Sequence, residues 1–313
     1  MLANYAWHAA MEHNDYPAAE RSFQEAPEIA RDSGDVLLLQ RILAQAAQVD
    51  FYHRRFDEAI GKSKQILSIP ALDLDMTTEC AARYVYYASA MSIGAPPSTE
   101  ELETFISVAD NLRDRLWLHL SYWLPQRMAG LYGDWKRSRE FGNKGLTVAP
   151  GAPTPLSSMP QTELETGEFE RADELFQQLS DRLSEYPVNA TWRYAATVAA
   201  SGIASFVTGK LKEPALPTSF WEIASSSPYP MPLFVSVTDS GRALEALAQG
   251  DVATCRNAYD ALKSSPGRLA LVVSVDRLLG QLAATIGDIS QAMAHFEDSL
   301  AFCSKAGYQP EYA

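Results

Sequence analysis

Apolar and polar positions along the chain recur with a helical period and almost nowhere alternate. Near the C-terminus, Gly287 to Leu300 reads GDISQAMAHFEDSL: a turn residue, an acid, an apolar residue, then Ala and Phe spaced to share one helix face. GEFERADELFQQL, Gly167 to Leu179, has the same skeleton. The shared template is a small or polar turn, an apolar residue directly after it, Ala three later and an aromatic four beyond that. NDYPAAERSF around Tyr16, RRFDEAIGKS around Phe56, GDWKRSREF around Trp135 and GDVATCRNAY around Val252 fit it with local departures. A further helical stretch precedes each turn, as in SVDRLLGQLAAT, where Leu278, Leu279, Leu282 and Ala283 fall at helical spacing.

Two of the intervals, Phe56 to Trp135 and Phe169 to Val252, are about twice the others. Each contains a degraded turn near its middle, SIGAPPSTEELETF at Gly94 and VTGKLKEPALPTSF at Gly209. Restoring these gives about eight units of roughly 34 to 43 residues, the period of stacked helical hairpins. The chemistry of the template suits that geometry. Gly or Asn tolerates the left-handed conformation that ends a helix. The acid that follows sits at the positive end of the next helix dipole. The small residue lets two helices approach closely. The expected fold is therefore all-α, a right-handed superhelix (solenoid) of about eight antiparallel hairpins. Residues 1–150 would hold units one to four and 151–313 units five to eight, in one continuous solenoid. A bend is expected at 148–160, VAPGAPTPLSSMP, and a proline-broken loop at SSSPYPMP, Ser225 to Pro232. LALVVSV, Leu269 to Val275, is the nearest thing to a strand, but it runs into a helical pattern and is read as helix.

The skeleton resembles the tetratricopeptide repeat, which has small residues at its eighth and twentieth positions, aromatics near its seventeenth and twenty-fourth, and Gly at the turn. Leu279, Gly280, Gly287, Ile289, Ala292 and Phe296 of the last unit fall on those positions. The third, fourth and sixth units depart from the pattern: Gln126 and Ser138 stand where small residues are preferred, and the second helix of unit six is short and proline-rich. These departures and the long period resemble the divergent repeats of LuxR/MalT-like signal-transducing ATPases and of nucleotide-cyclase regulators in bacteria. That resemblance implies a non-catalytic protein-interaction or sensor module, a fragment of a larger signal-transduction or transcriptional regulator. Its partner would be a protein or peptide, or the ATPase or cyclase domain of the same parent chain. The alternative is a free-standing adaptor that gathers partner peptides. The fragment reading also rests on the ends: the chain starts inside a helix without a cap, and Pro310 and Glu311 look like the opening of another helix.

Composition narrows the partners. With 39 acidic and 26 basic residues the net charge is −13, which disfavours direct binding of nucleic acid or anionic membrane. Three dispersed cysteines, Cys80, Cys255 and Cys303, read as buried apolar residues in a reducing compartment, and the N-terminus lacks a signal-peptide layout. The expected location is cytoplasmic. No catalytic constellation, cofactor or metal is expected. GKS, Gly61 to Ser63, lacks the glycine a phosphate loop needs at position 56, which is Phe. His8 and His13 do not share a helix face, DLD at Asp73 to Asp75 reads as a helix cap, and NAT at Asn189 to Thr191 is a glycosylation sequon in form only.

Aromatics and arginines concentrate in RDRLWLHLSYWLPQRMAGLYGDW, Arg113 to Trp135, and RYVYYASAM, Arg83 to Met91. Large aromatics mostly fill cores. In a hairpin stack, however, the first helix of each pair lines the concave surface. Counting back from each turn places Tyr84, Trp123 and Arg127 on that side, with Arg41, Gln48, Arg277 and Gln281. Such a groove suits an acidic or aromatic peptide, or a small anionic effector. Replacing Trp123 or Arg127 by alanine is then expected to weaken binding with the helices intact. The polar clamp of chaperone-tail-binding repeats is missing, since its positions hold Asn4 and His8.

Overall fold

In the computed structural model, each of the six marked residues is the first residue of a helix. The structure describes residues 2–13, 15–185, 191–209 and 231–312. The first eight helices are α1 (Leu2–His13), α2 (Tyr16–Asp32), α3 (Val36–Tyr52), α4 (Phe56–Leu67), α5 (Met76–Ser92), α6 (Thr99–Leu112), α7 (Arg115–Leu131) and α8 (Trp135–Val148). They are followed by α9 (Pro153–Glu165), α10 (Phe169–Ser184), α11 (Thr191–Thr208), α12 (Pro232–Gln249) and α13 (Val252–Leu262). A strand pair, β1 (Leu269–Ala270) and β2 (Val273–Ser274), precedes α14 (Val275–Thr285), α15 (Ile289–Ala306) and α16 (Gln309–Tyr312). The described chain is all-α apart from that pair. Among the described residues no helix is long and apolar enough to cross a membrane, and all three cysteines are free and buried.

The turns into five of the six marked helices, all but α2, are built the same way. At the end of α14, Gly287 has φ +89° and donates its N–H to the Ala284 carbonyl, while the Asp288 N–H reaches back to Ala283. That pair of bonds caps the outgoing helix. The Asp288 carboxylate then accepts the Gln291 N–H at 3.1 Å and caps the incoming one. Gly133–Asp134 and Gly250–Asp251 repeat both halves. Gly167–Glu168 and Arg54–Arg55 repeat the backbone half without a side-chain cap, Arg54 taking the left-handed conformation itself. Gly34–Asp35 uses the whole device between α2 and α3, a junction that the repeat template does not mark.

Three residues into each marked helix, Ala19, Ala59, Ser138, Ala172, Cys255 and Ala292 are all buried. A second register joins the paired helices. A Cβ placed on Gly280 of α14 would stand 2.6 Å from Phe296 of α15, so glycine makes room for the ring. In the α7–α8 pair the sizes are exchanged. Gln126 occupies the position equivalent to Gly280, and the position equivalent to Phe296 is Gly142, whose added Cβ would lie 3.1 Å from Gln126 Nε2. The space left at Gly142 is shared by Gln126 and by Met159 of α9, whose Cγ would stand 2.8 Å from the added Cβ. Neither amide atom of the buried Gln126 has a hydrogen-bond partner.

The described residues fall in two compact units, one drawn from 1–91, 97–121 and 228–233, the other from 92–96, 122–227 and 234–313. In the first, α1, α2 and α3 close over Ala6, Ala10, Ala19 and Val49, and α3 and α5 over Leu43, Ile66 and Ala82. In the second, α9 packs on α8, α10 and α11, and α14 on α13 and α15, around Phe176, Leu244, Leu278 and Leu282. The segment 148–160 is largely helical: α9 starts at Pro153, where a missing N–H costs nothing. SSSPYPMP and the turn at Gly209 lie almost wholly outside the described residues, as does Asn189.

One expectation is corrected. LALVVSV is not helix: β1 and β2 pair antiparallel, with Leu269 opposite Ser274, about a turn at Leu271 with φ +58°. Its near-uniform apolar run carries no helical period, and stiff valines favour extended backbone. Ser274 then caps α14 by accepting the Arg277 N–H.

Gly280→Val is expected to lower stability by roughly 2 kcal/mol through overlap with Phe296, and adding Phe296→Ala should recover part of the loss in urea unfolding. Full additivity of the two changes would mean that the residues are not coupled. Gln126→Met, which removes an unsatisfied buried amide at similar volume, is expected to raise stability by about 1 kcal/mol, read as a higher urea midpoint.

Candidate functional site

The seven groove candidates divide between the two units. In the first, Arg41 is exposed and Gln48 half-buried, both on α3, while Tyr84 on α5 sets its ring edge-on to Phe51 and Trp117. In the second, Trp123 and Arg127 are 7% and 5% exposed, with the guanidinium 5.0 Å from the indole centroid. The Trp123 indole N–H donates to Ser158 Oγ at 2.9 Å. Arg127 donates to the carbonyl of Leu271, the left-handed residue of the β turn. These two side chains serve internal packing, so truncating either acts first on stability.

Arg277 and Gln281 are brought together. One helical turn apart on α14, they line a cavity of about 330 Å³ with Glu165, Phe206, Pro310 and Glu311. Arg277 grips Glu311 in a two-pronged pair, Nε and Nη2 each 2.8 Å from a carboxylate oxygen. The Ser274 backbone N–H donates to the same carboxylate at 2.7 Å. Burial opposes the charge on Arg277, but Glu311 and then Glu165 hold its pKa above the ordinary arginine value. The cavity therefore combines a fixed guanidinium with apolar walls, and that guanidinium already holds one carboxylate. Gln281 Oε1 is buried there without a hydrogen-bond partner.

Glu311 was read only as the opening of a helix, and α16 does open there. Its role at Arg277 was missed because an ion pair across 34 residues leaves no local pattern. The same holds for Asp50, which is buried and accepts from the Tyr16 hydroxyl at 2.6 Å and from Lys62. Lys62 is the lysine of GKS, here in the middle of α4, and its partner explains it without a phosphate. Asp75 of DLD caps α5 by accepting the Thr78 N–H, as the sequence suggested. A second cavity, of about 290 Å³, contains Arg139 and Glu163, joined by a two-pronged pair.

No family model matches the chain, and no curated protein matches it.

Arg127→Met keeps the apolar stem and removes the bond to Leu271. It is expected to cost about 2 kcal/mol, the range for hydrogen bonds to charged groups, in chemical denaturation, with the far-ultraviolet dichroism of the native state unchanged.

Proposed function

We propose that the chain is a non-catalytic helical-repeat module of the tetratricopeptide type, a right-handed superhelix of about eight antiparallel hairpins. It serves as the interaction or sensor region of a bacterial signal-transduction or transcriptional regulator, binding an acidic, extended segment of a partner or of its own parent chain. Two features support the architecture: one turn device recurs at the marked sites, and the paired helices keep one size-matched register. The function rests on a single observation. Arg277, on the first helix of the last hairpin, holds the carboxylate of a separate segment in a cavity that Gln281 also lines. Glu311 in this reading occupies the place of a partner's acid. A planar guanidinium recognises carboxylates through paired hydrogen bonds, which gives orientation as well as attraction.

The test is an array of extended twelve-residue peptides that vary in acidic, aromatic and basic content, followed by fluorescence anisotropy on those that bind. Acidic peptides should be enriched over basic ones. Glu311→Gln, which weakens the internal competitor, should tighten their binding, and Arg277→Ala should weaken it by about tenfold, equivalent to 1.4 kcal/mol. No enrichment of acidic peptides, or an affinity indifferent to both substitutions, would sink the reading.

A further inference from the structure

Three acidic residues are fully buried among the described residues: Asp50, Glu163 and Asp276. Asp50 is paired with Lys62, and Glu163 with Arg139. Asp276, 1% exposed in the first turn of α14, has no such lysine or arginine. Its Oδ2 accepts the Gly267 backbone N–H at 2.6 Å. Its Oδ1 is buried and has no hydrogen-bond partner. Facing that oxygen is His295 of α15, whose Nδ1 is 3.9 Å away and is itself buried without a hydrogen-bond partner. Asp298, three residues on and so on the same face of α15, completes the group. One ligand atom from each of the three lies within 4.8 Å of the others.

We propose that Asp276, His295 and Asp298 form a binding site for a divalent transition metal of the zinc class. Two ligands each about 2.1 Å from a common ion can stand no more than about 4.2 Å apart. The 3.9 Å between Nδ1 and Oδ1 already meets that limit, and the exposed Asp298 side chain can close the rest by a rotamer change. The imidazole is prepared for ligation. Its Nε2 stands 3.1 Å from the Tyr259 hydroxyl, and in the tautomer whose Nε2–H donates there the Nδ1 lone pair is open to an ion. One nitrogen with two carboxylate oxygens favours zinc over calcium or magnesium, which prefer all-oxygen sites. Water completes the coordination on the exposed Asp298 side. The bound ion would clamp α15 to α14 and, through Gly267, to the loop before β1.

The experiment uses the full chain, stripped with a chelator and dialysed, then titrated with Zn²⁺ by calorimetry and with Co²⁺ by visible absorption. We expect one ion per chain with a dissociation constant of about 1 μM (roughly 8 kcal/mol), a visible Co²⁺ band that Zn²⁺ displaces, and no competition from Mg²⁺. Asp298→Asn, at an exposed position that does not threaten folding, and His295→Gln should each weaken Zn²⁺ by at least about tenfold. Tyr259→Phe should weaken it by about 10- to 100-fold, the usual consequence of losing a partner behind a metal ligand. Absence of both the heat and the Co²⁺ band would overturn the proposal. Binding that survives Asp298→Asn and His295→Gln unchanged would also overturn it, by placing the ion at other histidines or at the buried thiols.

Discussion

The reversal at the left-handed residue is the constraint on which the rest of the fold depends. Two backbone bonds end one helix, and the next residue begins another, so the chain turns back within three residues, as at Ile286–Asp288. Such a turn leaves no slack. It sets which residues of the two helices face each other, because a tight connection fixes both the angle and the register of what it joins. The side-chain cap is secondary. Glu168 and Arg55 make the same reversal with no capping side chain, so the shared element is the left-handed backbone with its two return bonds.

A fixed register turns packing into a problem of paired volumes. Where α14 carries Gly280, α15 carries Phe296; where α7 carries Gln126, α8 carries Gly142, whose added Cβ would meet Met159 at 2.8 Å and Gln126 at 3.1 Å. Interiors are close-packed, so only the summed size of such a pair is constrained, while each member is free to vary. This is why a unit can lose the template's residue types and keep its geometry. The exchange has a cost, since Gln126 brings two polar atoms into a site that offers them no hydrogen bond.

The same locality decides what could be read from the sequence. α2, α4, α8, α10, α13 and α15 begin where the sequence template marks a turn, because turn, apolar residue and small residue lie within one short window. Counting from those turns fixes a helix face for each of the seven groove residues but not what covers it. For Arg277 and Gln281 the face opens into a cavity. For Trp123 and Arg127 it is covered by Ser158 and Leu271, the latter 144 residues from Arg127. LALVVSV was misread for the opposite reason. An unbroken apolar run carries no period, and the left-handed Leu271 that makes it a hairpin is not a residue type that announces a turn.

Charge is what separates the buried acids from one another. A carboxylate taken out of water is stabilised by a cation or by hydrogen bonds, and in a chain with net charge −13 the basic residues are outnumbered. Lys62 and Arg139 supply it to Asp50 and Glu163, and Arg277 supplies it to Glu311. Asp276 is adjacent to Arg277, yet successive residues on a helix point about 100° apart. The guanidinium therefore faces the cavity while the carboxylate faces Gly267 and His295. One turn of α14 thus presents a cation to one side and an unmatched anion to the other.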